Sequence, residues 1–193
     1  MKSIVVFCAS SEGNDIQIVD RAYELGKTLA KQDRTLVYGG SKLGLMGKVA
    51  NGALDNNGKV IGVLPNFLKS KEIVHDRVPE MIIVDSMHER KMKMYELSDG
   101  IIALPGGFGT LEELFEIITW GQLGLHQKPM GILNVNGFYD ELLAFLDTMV
   151  VRELLKIENR NMLLVDDSCR GLLEQMESYR PVTTPKWIKK EHT

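Results

Sequence analysis

Ile101-Ile102-Ala103-Leu104-Pro105-Gly106-Gly107-Phe108-Gly109-Thr110-Leu111-Glu112-Glu113 is the stretch that decides how this chain folds. Its first four residues form an unbroken apolar run, as expected of a strand buried on both faces of a parallel sheet. A proline and three glycines end the run. Leu111, Leu114, Phe115 and Ile118 then recur at the spacing of one helical face. Strand, glycine turn and helix make one βα unit.

The same alternation extends in both directions. Upstream, Ile4 to Phe7 reads as a strand, followed by a helix with Ile18, Ala22, Leu25 and Leu29 on one face. Thr35 to Tyr38 is the second strand, and a helix from about Met46 ends near Asn57-Gly58, with Gly58 as the C′ residue. Lys59 to Leu64 and Met81 to Val84 are further strands, and a helix covers about Met87 to Leu97. Downstream come a strand from Met130 to Val135, a helix through Leu142 to Val151, a strand from Met162 to Val165 and a last helix to about Tyr179. Strands alternating with helices predict an α/β fold, a doubly wound, mainly parallel sheet with helices on both faces. We expect a single domain over 1–180 and a polar tail over 181–193.

Composition narrows the class. A chain of 193 residues, 44% hydrophobic and 25% charged, is that of a globular protein with room for a sizeable core. A net charge of -3 does not support nucleic-acid binding, and Trp120 and Trp187 are too scattered for a stacking groove. The two cysteines, Cys8 and Cys169, do not form a disulfide framework, and no run reaches the roughly 18 apolar residues of a spanning helix. A cytoplasmic protein without membrane partners is expected.

Ligands of such sheets bind beyond the carboxyl ends of the strands, so the loops there hold the candidate residues. Gly106, Gly107 and Gly109 let backbone N–H groups approach an anion at a helix N-terminus, and Thr110 adds a hydroxyl. The loop is neither a Walker motif nor a dinucleotide fingerprint, because Gly-Lys-Ser/Thr is missing and Glu112 replaces the last glycine. A plain turn capped by Thr110 explains it equally well. Likewise Thr110-x-x-Glu113 is a capping-box pattern, whereas a carboxylate one turn from a bound phosphate also reaches the attached sugar.

Other loops are less specific. Gly39 to Gly47 is a second glycine-rich loop, in which Gly40 either lines a pocket or eases packing. Ser10 either donates to a ligand or caps a helix. Arg90 and Lys91 near a helix start oppose the macrodipole, which calls for an anionic partner, a ligand phosphate or a protein carboxylate. Met87, Met92 and Met94 suit a flat base, a dimer seam or simply a core. No metal is expected: His75, His88, His126 and His192 lack ligand spacing, and Met92 stands where His-Glu-x-x-His needs its second histidine.

Tyr38-Gly39-Gly40, Gly44-Leu45-Met46-Gly47, Met87-His88-Glu89-Arg90-Lys91 and Pro105-Gly106-Gly107-x-Gly109-Thr110-x-x-Glu113 resemble, in order and spacing, the Lonely Guy family of cytokinin riboside 5′-monophosphate phosphoribohydrolases, often labelled possible lysine decarboxylases. The resemblance runs from about Ile4 to Val165. It implies a Rossmann-like homodimer that cleaves a nucleoside 5′-monophosphate, AMP or a cytokinin-type relative, to free base and ribose 5-phosphate without a cofactor. By position it makes Arg90 and Glu113 the catalytic pair and Gly106, Gly107, Gly109 and Thr110 the phosphate loop. It also places Glu72 near the base; Ser10, Gly40, Met87 and Lys91, from the loops read above, are the further candidate substrate contacts. Ser41 departs from the family, many of whose members have a third glycine there. A decarboxylase would need a Schiff-base lysine in a dedicated site, and none is recognisable. The competing expectation is a non-catalytic nucleotide or molybdenum-cofactor carrier on the same fold, which has no need of the Arg90 and Glu113 pair.

Overall fold

Along β1 (Ser3–Phe7) side chains point alternately to the two faces of the sheet, and this sorts the core into layers. Ile4 and Val6 join a cluster with Ala22, Leu25 and Leu29 of α1 (Ile16–Lys31), Val49 of α2 (Gly44–Leu54) and Leu172 of α8 (Cys169–Ser178). Val5 and Phe7 face the other way, onto Met94 of α4 (Met87–Glu96) and Ile117 of α5 (Phe108–Gln122). Each such fully buried aliphatic side chain contributes about 1.5–3 kcal/mol relative to exposure.

The computed structural model describes residues 1–69 and 73–181. The remaining strands are β2 (Thr35–Tyr38), β3 (Val60–Pro65), β4 (Glu80–Val84), β5 (Gly100–Ala103), β6 (Met130–Leu133) and β7 (Leu163–Asp166). All pair in parallel in the order β4-β3-β2-β1-β5-β6-β7. This is a Rossmann-like, doubly wound sheet with helices on both faces. The chain steps outward from β1 to β4, then returns to the other side of β1 at β5. The loops after β1 and β5 therefore part at the switch point, where such sheets open a crevice.

Several boundaries differ from the sequence reading, for identifiable reasons. α2 begins at Gly44 and ends at Leu54, and the left-handed residue beyond it is Asn57 (φ 58), not Gly58, whose N–H bonds Ala53 O at 2.8 Å. β6 stops at Leu133, because Val135–Gly137 winds into a 3₁₀ turn before α6 (Asp140–Val151). Two single-turn helices escape a periodicity argument, α3 (Asn66–Lys69) and α7 (Ile157–Arg160). Residues 182–193 of the expected tail lie outside the described residues.

Candidate functional site

A crevice of about 510 Å³ opens at the switch point, between the β1 and β5 loops and the N-terminal halves of α4 and α5. On the α5 side its entrance is formed by a helix start without a side-chain cap, as at α2 and α6. α1, α4 and α8 are capped by the side chains of Asp15, Ser86 and Ser168, but α5 starts on Gly107, with no side-chain cap. The first-turn amides of α5 are thus left to face the crevice, together with the positive end of the helix dipole.

The helix begins at Phe108, so Thr110 is its third residue and not its cap. The capping-box reading of Thr110 and Glu113 therefore fails. A related arrangement, shifted by one residue, occurs at the start of α4, whose N-cap is Ser86. There Ser86 Oγ accepts from Glu89 N at 3.1 Å, and Glu89 Oε2 accepts from Asp85 N at 2.8 Å. Glu113, relieved of capping, turns to Arg90, whose Nη1 donates to Glu113 Oε1 at 3.0 Å. Both side chains are nearly buried, 11% and 10% exposed. The guanidinium is held from a second side by Val63 O, which accepts from Nε at 3.1 Å.

Gly39 explains why this pair can sit here. A β-carbon at Gly39 would overlap the Arg90 guanidinium, and would come within 2.8 Å of Met46 Sδ. Burial raises the Glu113 carboxyl above the ordinary glutamate value, and the Arg90 charge works against that rise. The neighbouring residue pair interlocks the same two helices. Lys91 Nζ reaches Glu112 Oε1 and lies 3.0 Å from Glu116 Oε2. Burial acts to lower the Lys91 ammonium, but its hydrogen bonds to Glu112 and Glu116 outweigh this and raise it. The anionic partners that Arg90 and Lys91 called for are thus protein carboxylates.

The crevice gathers Arg90, Glu113, Gly107, Gly109, Thr110, Ser10 and Met87. Gly106 lies one residue aside, in an adjoining cavity of about 380 Å³ that shares Gly107. Gly106 packs under Thr110 so closely that a β-carbon would overlap the threonine side chain. Gly40 does not line the crevice; it faces Met81 and Leu64, while Gly39 takes the lining position. Lys91 also stays off the lining, held by its two glutamates. Glu72 lies outside the described residues.

Besides Gly39, the lining includes Cys8, Glu112 and Phe108, which were not candidates from the sequence. Cys8 follows β1 directly, and burial, aided by Glu113, pushes its thiol up. Glu112, 56% exposed, contributes a second carboxylate at the rim. Phe108 is 94% exposed at the mouth, where its place inside the glycine motif hid it from any apolar periodicity. Among the described residues, no three His, Cys, Asp or Glu side chains gather to hold a metal ion. No helix among them is long and apolar enough to cross a membrane.

Comparison with known proteins identifies the family of the chain. A family model described as possible lysine decarboxylase matches residues 46–176. A probable cytokinin riboside 5′-monophosphate phosphoribohydrolase of Oryza sativa subsp. japonica is 46% identical over 94% of this chain and 80% of its own length. A cytokinin riboside 5′-monophosphate phosphoribohydrolase of Arabidopsis thaliana is 45% identical over 93% of this chain and 84% of its own. Among solved structures, the molybdenum cofactor binding protein of Rippkaea orientalis is similar with a TM-score of 0.70 and 26% identity, covering 92% of this chain and 97% of that one. At nearly full length and close to half identity, the sequence relatives outweigh the more distant structural likeness: the chain belongs to the Lonely Guy family of cytokinin riboside 5′-monophosphate phosphoribohydrolases.

Proposed function

We propose that this chain hydrolyses the N-glycosidic bond of a purine nucleoside 5′-monophosphate, AMP or a cytokinin-type relative, releasing free base and ribose 5-phosphate. The observation that carries the reading is the nearly buried Arg90–Glu113 pair beside an uncapped helix N-terminus. The 5′-phosphate takes the first-turn amides of α5 and the Thr110 hydroxyl, which suits a helix N-terminus. The ribose then lies against Glu113, with the base toward Met87 and Phe108.

As the C1′–N bond lengthens, positive charge develops on the ribose, and a carboxylate beside it is stabilising. The water oxygen bonds to C1′ as that bond breaks, and one water proton passes to Glu113. The base leaves with the bonding pair and takes up a proton, after which Glu113 returns its own to solvent. Arg90 keeps Glu113 aimed and ionised enough to act. No step calls for a cofactor.

A carrier on the same fold has no use for a charged pair in its crevice wall, and this favours the enzyme. We further read the chain as one domain over 1–180 and as a homodimer, in keeping with the exposed Ile83, Met87 and Met92 on β4 and α4. The free thiols of Cys8 and Cys169 suit a cytoplasmic setting.

Chromatographic assay of base release from AMP, isopentenyladenosine monophosphate and the matching nucleosides tests the reading. Release from monophosphates alone is expected, with Glu113→Gln slower by about 100-fold or more in kcat. Nucleotide binding without release from any substrate would instead establish a carrier.

A further inference from the structure

The turn between β6 and α6 belongs to none of the motifs above, yet it holds the phosphate loop from behind. Tyr139, 2% exposed, donates its hydroxyl hydrogen to Leu104 O at 2.7 Å. Leu104 immediately precedes Pro105-Gly106-Gly107, and its own N–H donates to Phe7 O at 2.9 Å. The next carbonyl, Pro105 O, accepts from Ala9 N at 3.2 Å, and Pro105 itself has no N–H. Among the described residues, the carbonyls entering the loop are held by β1 with its following loop and by Tyr139.

Tyr139 is in turn fixed from outside. Its N–H donates to Asn134 Oδ1 at 2.8 Å, and Asn134 Nδ2 donates to Asp140 Oδ1 at 2.7 Å. The ring of Phe138 meets its ring edge-on at 4.9 Å. Asn136, in the left-handed region (φ 51), donates from Nδ2 to Asp15 Oδ2 at 2.9 Å, and Asp15 caps α1. One turn thus reaches both loops that flank the crevice. Burial raises the Tyr139 phenol, so the hydroxyl keeps its proton and remains a donor. Packing alone does not explain the bond: Tyr38, just as buried, has no hydrogen-bond partner for its hydroxyl among the described residues.

We propose that Tyr139 is a positioning residue for the phosphate loop: through the Leu104 carbonyl, its hydroxyl orients the peptides of Gly106 to Gly109 and so sets the affinity for the 5′-phosphate. The inference rests on the nucleotide reading of the crevice. It assigns Tyr139 to phosphate recognition and leaves the bond-breaking step to the Arg90–Glu113 pair.

Tyr139→Phe keeps the ring and removes only the hydroxyl. Expected is a rise of about tenfold in KM for AMP, the scale of one lost hydrogen bond, with kcat within about twofold. Inhibition by ribose 5-phosphate should weaken by the same factor, and that by adenosine should not change. Leu146→Val, in the same apolar cluster, is the control; it should lower the melting temperature and leave KM alone. Wild-type KM and inhibition in Tyr139→Phe would overturn the inference, as would an equal rise in KM for Leu146→Val. Calorimetric titration of wild type and Tyr139→Phe with AMP and inorganic phosphate separates the two readings. If the wild type releases no base yet binds AMP, the enzymatic reading falls, and the affinity ratio between the two proteins still decides the role of Tyr139. A wild type that binds neither ligand overturns both.

Discussion

Arg90→Ala leaves the Glu113 carboxylate close to buried with its cationic partner gone. Breaking a buried pair by removing one partner costs about 3–5 kcal/mol while the survivor stays charged. The carboxyl has an escape, because it can take up a proton. Burial already raises its pKa, and Arg90 is the leading influence holding it down. In the variant the folded-state pKa therefore rises further above the unfolded one. Stability from the protonated form is fully present below the unfolded value and is lost as pH rises through the folded value. The damage must then grow with pH: about 3 kcal/mol at pH 8, and about 1 kcal/mol at pH 5, where mainly the packing of the arginine stem is missed. Urea unfolding at the two pH values measures it, with Glu113→Gln and the double variant completing a thermodynamic cycle. A loss equal at both pH values, or coupling below about 0.5 kcal/mol at pH 8, would refute the reasoning.

Two further outcomes follow from contacts on the crevice wall and beside it. Gly39→Ala puts a methyl group where the Arg90 guanidinium lies; it should fold and yet lose about 100-fold in kcat/KM, the scale of a misplaced catalytic group, read in the base-release assay. His75 is buried and neutral, with Nε2 on Asn51 Oδ1 at 3.2 Å and Nδ1 accepting from Arg77 N at 3.3 Å. Burial holds its pKa below 6.5, with Arg77 and Lys42 adding to this and Asp76 opposing it. Its contribution is present above the unfolded value and lost as pH falls through the folded one, about 1 kcal/mol on the scale of one buried hydrogen bond. His75→Gln should flatten that part of the acid limb in urea titrations.

The layering of this fold could be read from the apolar runs of β1 and β5 and the helices alternating with them, because a run buried on both faces has few other homes. The loops that build the crevice followed from their places after strands, whereas the strand order that opens it between β1 and β5 came from the structure. What escaped the sequence shares one physical cause: it depends on partners far along the chain. Thr110-x-x-Glu113 carries every local mark of a cap, and only the approach of Arg90, 23 positions upstream, draws Glu113 into another bond. Lys91 and Gly40 sit in motifs beside the crevice, but a helix turn or a strand pleat decides which neighbour faces inward. That choice gave the lining to Gly39 and sent Lys91 to Glu112 and Glu116. Phe108 offered no apolar repeat to notice, and Tyr139 lay in a segment with no motif at all.

On the proposed reading, the residues that grip the phosphate and the carboxylate that acts on the sugar stand on one helix. From Phe108 to Glu113 the axial span is five rises of 1.5 Å, about 7.5 Å. α5 is thus a measuring rod with the phosphate at its zero mark. Inserting one residue in its first turn would swing Glu113 by about 100° and carry it off the crevice. Descendants of this chain are then free to change which base they accept by altering Met87, Phe108 and the other walls. A substrate with a different distance between phosphate and scissile bond would need a new rod.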